Sequence, residues 1–334
     1  MVKNNKVYII AEIGTNHNGS LDLARKTIKS AAKSGVDAVK FQSFKTEEFM
    51  ANKKLKHNYK TSKGIKSENM YKMFERLEFK KEWYLKLSKL CRNLGIDFLS
   101  SVADIESANI LKKINSKAIK IASEDIINYP LLKKISKLNK RVILSTGMAD
   151  QKEVEKAVLI LKSIKKKLTL LHCVSLYPTP EDKINLNRIL ALKERYKLPV
   201  GFSDHTIGIN ASLAAVVLGA CVIEKHFTLD KKLPGPDHML SSDPPELTKL
   251  VNNIRQIEKM IGSKEIRPTS EEIKMRQKFR RSIVANQIIK KGTKIISKML
   301  SLKRPGTGLH PMYLNKIIGK IANKSFYKNE KLKL

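Results

Sequence analysis

Residues 198–238 read LPVGFSDHTIGINASLAAVVLGACVIEKHFTLDKKLPGPDH. Two short apolar runs, Leu198–Phe202 and Cys221–Glu224, each lead to a histidine, His205 and His226. Between them Ile207–Gly219 has helical spacing and the small residues Gly208, Ala211, Ala214, Ala215 and Gly219. The pattern predicts strand, helix, strand. Parallel strands joined by a crossover helix put their C-terminal ends on one side of the sheet. Both imidazoles then face one mouth, with the carboxylates of Asp204 and Asp237 nearby. Two imidazoles with an open oxygen-ligand position suit a divalent transition metal. A lone histidine at a strand exit is as readily an ordinary satisfied polar group. Two of them at equivalent exits favour a metal site.

Working outward, apolar runs of the same kind recur: Val7–Ile13, Val36–Gln42, Ile96–Val102, Ala118–Ser123, Arg141–Thr146, Leu168–Val174, Val200–Asp204 and Val222–Phe227. Most are continuous rather than alternating, as strands buried on both faces require. Helical patterns separate them, among them Leu21–Ala32 behind the N-cap Ser20, Lys81–Leu94 stopping at Gly95, and Ile207–Leu218. Eight such units over about 260 residues predict an α/β fold, a (β/α)8 TIM barrel. The alternative is a doubly wound open sheet. It usually carries a Gly-rich phosphate loop after its first strand; here that turn reads Gly14-Thr-Asn-His-Asn-Gly19. The connection Ser43–Phe79 is long and polar, and reads as a loop that covers the mouth. The expected division is a barrel over 1–262, a charged linker over 263–280, and a small β-rich module over 281–334. So small a module is thin for independent stability and is expected to pack on its own barrel or a partner.

The net charge of +35 raises the question of nucleic acid. Lysine far outnumbers arginine, however, and the lysines are scattered over nearly every predicted helix. No basic stripe interleaves with aromatics, which make up 6% of the chain. The excess reads as solvated surface, part of it steering an anionic substrate. No apolar run approaches the roughly 20 residues of a membrane span. MVKNNKVYIIAEIG at the start lacks the pattern of a secretory signal, so a cytoplasmic location is expected. Cys91, Cys173 and Cys221 are far apart and odd in number, and are expected as free thiols.

Barrel enzymes place their chemistry at the C-terminal strand ends. The predicted ends carry Glu12 with His17; Lys40 and Gln42; Ser101; Lys120, Ser123 and Asp125; Ser145; His172, Ser175 and Tyr177; Ser203 and His205; and Glu224, His226 and Asp237. Lys40 and Lys120 lie inside otherwise apolar strands. A buried ammonium needs a carboxylate or an anionic ligand. Ion pairs with Glu12 or Glu224 would meet that need, and a Schiff-base lysine is a further alternative. The hydroxyls of Ser101, Ser123 and Ser203 around the two lysines favour a phosphate-carboxylate site. Joined to the histidine pair, this site points to union of a phosphorylated anion with a carbonyl-bearing substrate.

Along nearly its whole length the chain resembles the sialic acid (N-acetylneuraminate) synthase family, which includes legionaminate and pseudaminate synthases. The matching stretches are AEIGTNHNGS, VKFQSFK, KIASED, ILSTGM, LLHCVSLYPTP, GFSDHT, IEKHFTLDKKLPGPDH and, near the end, KRPGTG. The last block resembles the antifreeze-like (SAF) domain. The resemblance implies a phosphoenolpyruvate-dependent transferase. It would join phosphoenolpyruvate to N-acetylmannosamine or a related 2-acetamido sugar with water, releasing phosphate by C–O cleavage. It implies a divalent metal, Mn2+ foremost with Mg2+ or Co2+ as alternatives, held by His205 and His226. Lys40, Ser101, Lys120, Ser123, Ser175 and Ser203 would bind phosphoenolpyruvate. Gln42, Asp125, Tyr177 and Asp237 would face the sugar, with Asp125 activating the attacking water. Arg304 would reach the sugar in the partner's site of a domain-swapped homodimer. Departures from the family's commoner pattern are Ser100-Ser-Val-Ala-Asp104 and Ala122-Ser-Glu-Asp125 at the third and fourth strand exits, and Ser175. They bear on which sugar is taken. A Schiff-base aldolase and a non-catalytic basic binding protein are the competing readings.

Overall fold

The computed structural model describes residues 6–332 of the chain. Eight parallel strands close into a barrel: β1 (Tyr8–Gly14), β2 (Ala38–Ser43), β3 (Asp97–Val102), β4 (Ile119–Ile121), β5 (Val142–Ser145), β6 (Leu168–Cys173), β7 (Val200–Asp204) and β8 (Val222–His226). Each strand pairs with its sequence neighbours among the eight, and β1 closes on β8 with Glu12 opposite His226. The open-sheet alternative is thereby excluded.

Helices cover the barrel's outer face. Leu21–Lys33 is capped by Ser20, whose hydroxyl accepts from the Leu23 amide. Pro244–Ile261 starts on a reciprocal capping box between Asp243 and Glu246. The helix expected from Ile207 begins at Asn210 instead. Gly208 has φ +78°, a left-handed conformation no α-helix contains. β4 ends before the expected Ser123, because a short 3-10 turn, Glu124–Ile127, takes up the backbone bonds of its exit.

Inside the barrel, side chains alternate in and out along each strand. One inward layer is apolar: Ile10, Ala38, Leu99, Ala118, Ile143, Leu171 and Val222, all fully buried. Two residues further along the same strands, the next inward layer holds Glu12, Lys40, Ser101, Lys120, Ser145, Cys173 and Glu224. That step of two carries the chain from core to chemistry.

The 43–79 connection is not the structureless loop its polarity suggests. It folds as a short helix Thr46–Phe49, an antiparallel hairpin of Lys56–Thr61 with Gly64–Asn69, and a helix Met70–Leu77 capped by Asn69. Phe44, Tyr59, Met73 and Leu77 give it a small core of its own. At the hairpin tip Ser62 Oγ donates to Lys232 O at 3.4 Å, so the insertion reaches the loop after β8.

The chain separates into two compact units, residues 1–262 and 263–334. In the second, part of the segment read as a linker is a helix, Ser270–Phe279, with no buried residue and a capping box between Thr269 and Glu272. Helix propensity and the cap suffice there without an apolar face. Strands Ser282–Ala285 and Leu300–Lys303 pair antiparallel over a core of Ile283, Ile289, Ile295, Ile317 and Phe326. The three cysteines are free thiols. Among the described residues no helix is long and apolar enough to cross a membrane.

Candidate active site

At the barrel mouth two lysines meet two carboxylates with almost no exposure. Lys40 Nζ lies 2.8 Å from Glu12 Oε2 and 3.8 Å from Glu224 Oε2. Lys120 Nζ lies 3.9 Å from Glu224 Oε1 and donates to Ser145 Oγ at 2.6 Å and to Ile121 O at 3.1 Å. Ser203 Oγ donates to Glu224 Oε1 at 2.9 Å. The Glu12–Lys40 contact is close but poorly aligned: Glu12 Oε2 and Glu224 Oε2 are buried without a hydrogen-bond partner. The ion-pair alternative for the lysines is therefore what the structure contains. Two ammonium groups face two carboxyl groups, which offsets part of the cost of their burial.

Their proton affinities diverge. Burial pushes Glu12 up to about 7, against the pull of Lys40. Burial also raises Glu224, but Lys120 and Lys40 outweigh it and hold the group below the usual carboxylate range. Burial lowers Lys120, while Lys40 ends above its ordinary value because Glu12 and Glu224 overcome its desolvation. The pairing Glu12↔Lys40 is in the β1–β2 register, and these residues stand at one step of adjacent strands. That is the signal by which the carboxylates could be read as site residues rather than only as counter-charges.

Beside the cluster, a glycine-bounded hollow brings hydroxyls together. A Cβ placed on Gly147 would come 2.5 Å from Ser175 Oγ, 2.7 Å from Cys173 Sγ and 2.7 Å from Ser123 Oγ. The Gly147 amide donates to Ser123 Oγ at 3.1 Å. Ser123 and Ser175 thus meet as the sequence predicts, around Gly147 at the β5 exit. Ser101 Oγ is turned towards Phe41 O at 3.5 Å.

The histidines face each other across β7 and β8, ring centroids 5.5 Å apart. His205 Nδ1 bonds Val174 O at 2.7 Å, which fixes its proton there and leaves Nε2 with a free lone pair, 3.5 Å from Ser203 Oγ. His226 Nδ1 is buried, without a hydrogen-bond partner, and 3.9 Å from Asp237 Oδ2. Burial lowers both imidazoles, His226 strongly, so both are neutral at pH 7. Tyr177 packs on His205 with the rings tilted by 32° and centroids 4.2 Å apart, and meets His226 edge-on at 5.9 Å. Among the described residues no three His, Cys, Asp or Glu side chains gather as a ligand set. The pair nonetheless fits a divalent ion. Two neutral imidazoles, one with an orphaned buried nitrogen and one held by a backbone carbonyl, supply two nitrogens and leave the remaining positions to oxygen.

Two expected neighbours are elsewhere. Asp204 is one step past Ser203 and faces the other side of β7. There it accepts from Thr206 and Ser212 and pairs with Lys225 Nζ at 3.1 Å. His172 also faces outward, bonded to Ile184 O. The β1 exit is tied instead to the β8 exit. Asn16 Nδ2 donates to Phe227 O and Ser241 Oγ, and Thr15 Oγ1 to Asp237 Oδ2 at 3.3 Å. His17 is enclosed by Phe41, Phe79 and Trp83, where burial lowers it to about 4.

On the β2–β4 side the mouth opens into a cavity of about 270 Å³. Gln42, Ser101, Glu124 and Asp125 form its polar wall, and Phe44, Phe49 and Phe74 its aromatic one. Gln42 Nε2 donates to Glu12 Oε1 at 3.2 Å, linking cavity to cluster. Asp125 accepts from Asn128, but burial dominates and pushes its carboxyl up to about 6. Arg304 belongs to the second unit, where it is exposed and lies over the Phe279 ring at 5.5 Å.

Comparison with known proteins gives this geometry its lineage. Residues 27–266 match the NeuB family, and residues 280–333 match the SAF domain. The chain belongs to the NeuB family. The N,N'-diacetyllegionaminic acid synthase of Campylobacter jejuni is 45% identical over 328 residues, covering 97% of this chain and 98% of that protein. The enzyme of the same name from Legionella pneumophila is 42% identical over 317 residues, covering 93% and 89%. The crystal structure of N-acetylneuraminic acid (sialic acid) synthetase from Leptospira borgpetersenii superposes with a TM-score of 0.74 at 39% identity, covering 83% of this chain and 95% of that one. This NeuB-family chain is an enzyme of the nonulosonic acid synthase class.

Proposed function

We propose that this enzyme condenses phosphoenolpyruvate with an open-chain 2-acetamido sugar and water, giving a nonulosonic acid and phosphate. The observation that carries the reading is the buried Lys40–Glu12–Lys120–Glu224 cluster beside two neutral histidines at one mouth. The names of the relatives support it. A divalent metal, Mn2+ first among the candidates, would be held by His205 and His226 and would polarise the acceptor's aldehyde.

The chain's own residues supply the rest. Lys40 and Lys120 hold the phosphate and carboxylate, with Ser123, Ser175 and Ser203 as neutral partners. Phosphoenolpyruvate's C3 forms the new bond to the aldehyde carbon, and the aldehyde oxygen takes up a proton. Water adds at C2 and loses a proton to Asp125, whose raised carboxyl is suited to a general base near neutrality. The C2–O bond to phosphate then breaks, phosphate leaving with the electron pair and taking up the proton of the C2 hydroxyl, which leaves the keto acid. Tyr177, Gln42 and Asp237 orient the sugar. Arg304 serves the partner's site in a domain-swapped homodimer.

The test is phosphate release by the purified full chain with Mn2+, phosphoenolpyruvate and an acceptor panel. Release that needs both acceptor and metal supports the reading; binding of neither phosphoenolpyruvate nor metal overturns it. One observation favours a second reading, a Schiff-base aldolase: burial holds the Lys120 ammonium below its ordinary value. Borohydride trapping with pyruvate would detect it.

A further inference from the structure

The ladder between β7 and β8 stops one residue short of the two histidines. Its registered pairs are Phe202↔Ile223, Ser203↔Glu224 and Asp204↔Lys225. Asp204 and Lys225 face away from the mouth, with 0% and 2% of their side-chain surface exposed. Lys225 Nζ lies 3.1 Å from Asp204 Oδ2 and donates to Thr206 O at 2.6 Å. Asp204 Oδ1 accepts from the Thr206 amide at 2.9 Å and from Thr206 Oγ1 at 2.7 Å, and Oδ2 accepts from Ser212 Oγ at 2.6 Å. The carboxylate thus spans His205 in an Asx turn, bonded to the residue that follows it. The ammonium, one residue before His226, holds the carbonyl one residue after His205. A buried ion pair is weak evidence of stabilisation, because well-packed apolar residues of similar volume often serve as well or better. A buried polar network whose members are all bonded does something else: it fixes one arrangement of the chain around it.

What this network fixes is the relation between the histidines. His205 is tied to the β6 exit, by its Nδ1 bond to Val174 O and by its carbonyl, which accepts from the Thr179 amide at 2.9 Å. His226 has no hydrogen bond at its buried Nδ1, so its ring is placed by its backbone and its packing. Beyond the last ladder pair, the link from one histidine exit to the other on this face runs through Lys225. We propose that Asp204 and Lys225 are positioning residues, which set from behind the strands the spacing and orientation at which His205 and His226 present their nitrogens to a divalent ion. The proposal rests on the metal reading of the histidine pair and names what holds that pair in place. Groups that orient a metal ligand act by fixing its ring, and their loss typically weakens metal binding about 10- to 100-fold. Here the orientation reaches the rings through the backbone, so Lys225 acts without touching the ion. Lys40 and Lys120 stand on β2 and β4, so phosphoenolpyruvate binding provides an internal control.

The experiment measures binding rather than turnover, on the full chain. Mn2+ affinity is read from the electron paramagnetic resonance signal of the free ion, and phosphoenolpyruvate affinity by calorimetry without metal. Removing one partner alone would leave a charge buried and uncompensated. The main variant is therefore the double exchange Asp204→Asn with Lys225→Met, which breaks the link and strands no charge. It should weaken Mn2+ about 10- to 100-fold and leave phosphoenolpyruvate within about twofold. Ser212→Ala removes one bond to Asp204 but not the link between the exits, and should leave both affinities within about twofold. Thr206→Val deletes the hydroxyl bond to Asp204 and should weaken Mn2+ by about 2- to 10-fold, the range of one hydrogen bond; it decides the matter if the double variant does not fold. Unchanged Mn2+ affinity, or equal loss of Mn2+ and phosphoenolpyruvate, overturns the proposal and makes the pair ordinary scaffold. If wild type binds no Mn2+ that His226→Ala abolishes, the metal reading itself falls and the proposal with it. If wild type binds Mn2+ through His226 and the variants bind it equally well, the proposal alone falls.

Discussion

Two layers inside the barrel are built on the same strands, one step of two residues apart. The lower layer, with Ile10, Leu99, Ile143 and Leu171, is apolar and closed. The upper one, with Glu12, Lys40, Lys120 and Glu224, carries ionisable groups in nearly the same burial. Burial alone therefore does not separate core from site. What separates them is whether polar atoms are fully satisfied. The lower layer has none to satisfy, whereas the upper one leaves Glu12 Oε2 and Glu224 Oε2, and the next step along β8 leaves His226 Nδ1, without hydrogen-bond partners. Such groups are costly while unpaired and useful where a substrate or metal can complete them.

The largest test of this contrast is at the metal pair. His226→Ala, or chelation of the wild type, should lower phosphate release at least about 10²- to 10³-fold, the scale for losing one group that stabilises developing charge. Its thermal midpoint should change little, because His226 Nδ1 makes no hydrogen bond to lose. A large drop in stability with retained turnover would reverse the assignment of the layers. Below it, Leu99→Ala should do the opposite, costing about 2–5 kcal/mol by denaturant titration. Its turnover per folded molecule should stay within about twofold of wild type, since apolar truncation there leaves the polar layer's charges in place.

A smaller effect is expected at Gly147→Ala. The added methyl displaces the hydroxyls of Ser123 and Ser175 and should raise the KM for phosphoenolpyruvate about 10- to 100-fold, as small misplacements do. An unchanged KM would remove those serines from the anion site. The mildest test is pH. A carboxyl raised to about 6 is charged above that pH and protonated below it. If Asp125 is the base, the rate falls as pH drops through about 6, by about tenfold per unit beyond. Asp125→Asn should lower the plateau and flatten that acid limb; an unchanged limb assigns it to another group.

The barrel is legible in the sequence because parallel strands buried on both faces must be near-continuous apolar runs, and eight such runs are there. Lys40 and Lys120 stand out for the same reason, as charges within those runs. The histidine pair is legible from equivalent positions at two strand exits. Asp204 is not: at a strand end a carboxylate can face either side, and only the paired Lys225 and Thr206 show which. The hairpin 56–69 is hidden because its strands are almost entirely polar or exposed. The aromatic wall is hidden because positions 44, 49 and 74 share no period and meet only when the insertion folds. The departures at Val102, Ala103, Ala122 and Glu124 are visible in the sequence, but that they line one cavity is a fact of three dimensions.

The seam between β1 and β8 has a consequence for how the enzyme is made. The strand synthesised first has the last of the eight as one of its two neighbours, and the clamp from Asn16 to Phe227 and Ser241 joins their exits. Until the ribosome has released residue 242, β1 keeps one edge unpaired and Asp237 has no place beside His226. A nascent or truncated chain thus holds an apolar strand open to wrong partners. The charged layer and the histidine pair are completed together, when the final strand shuts the ring.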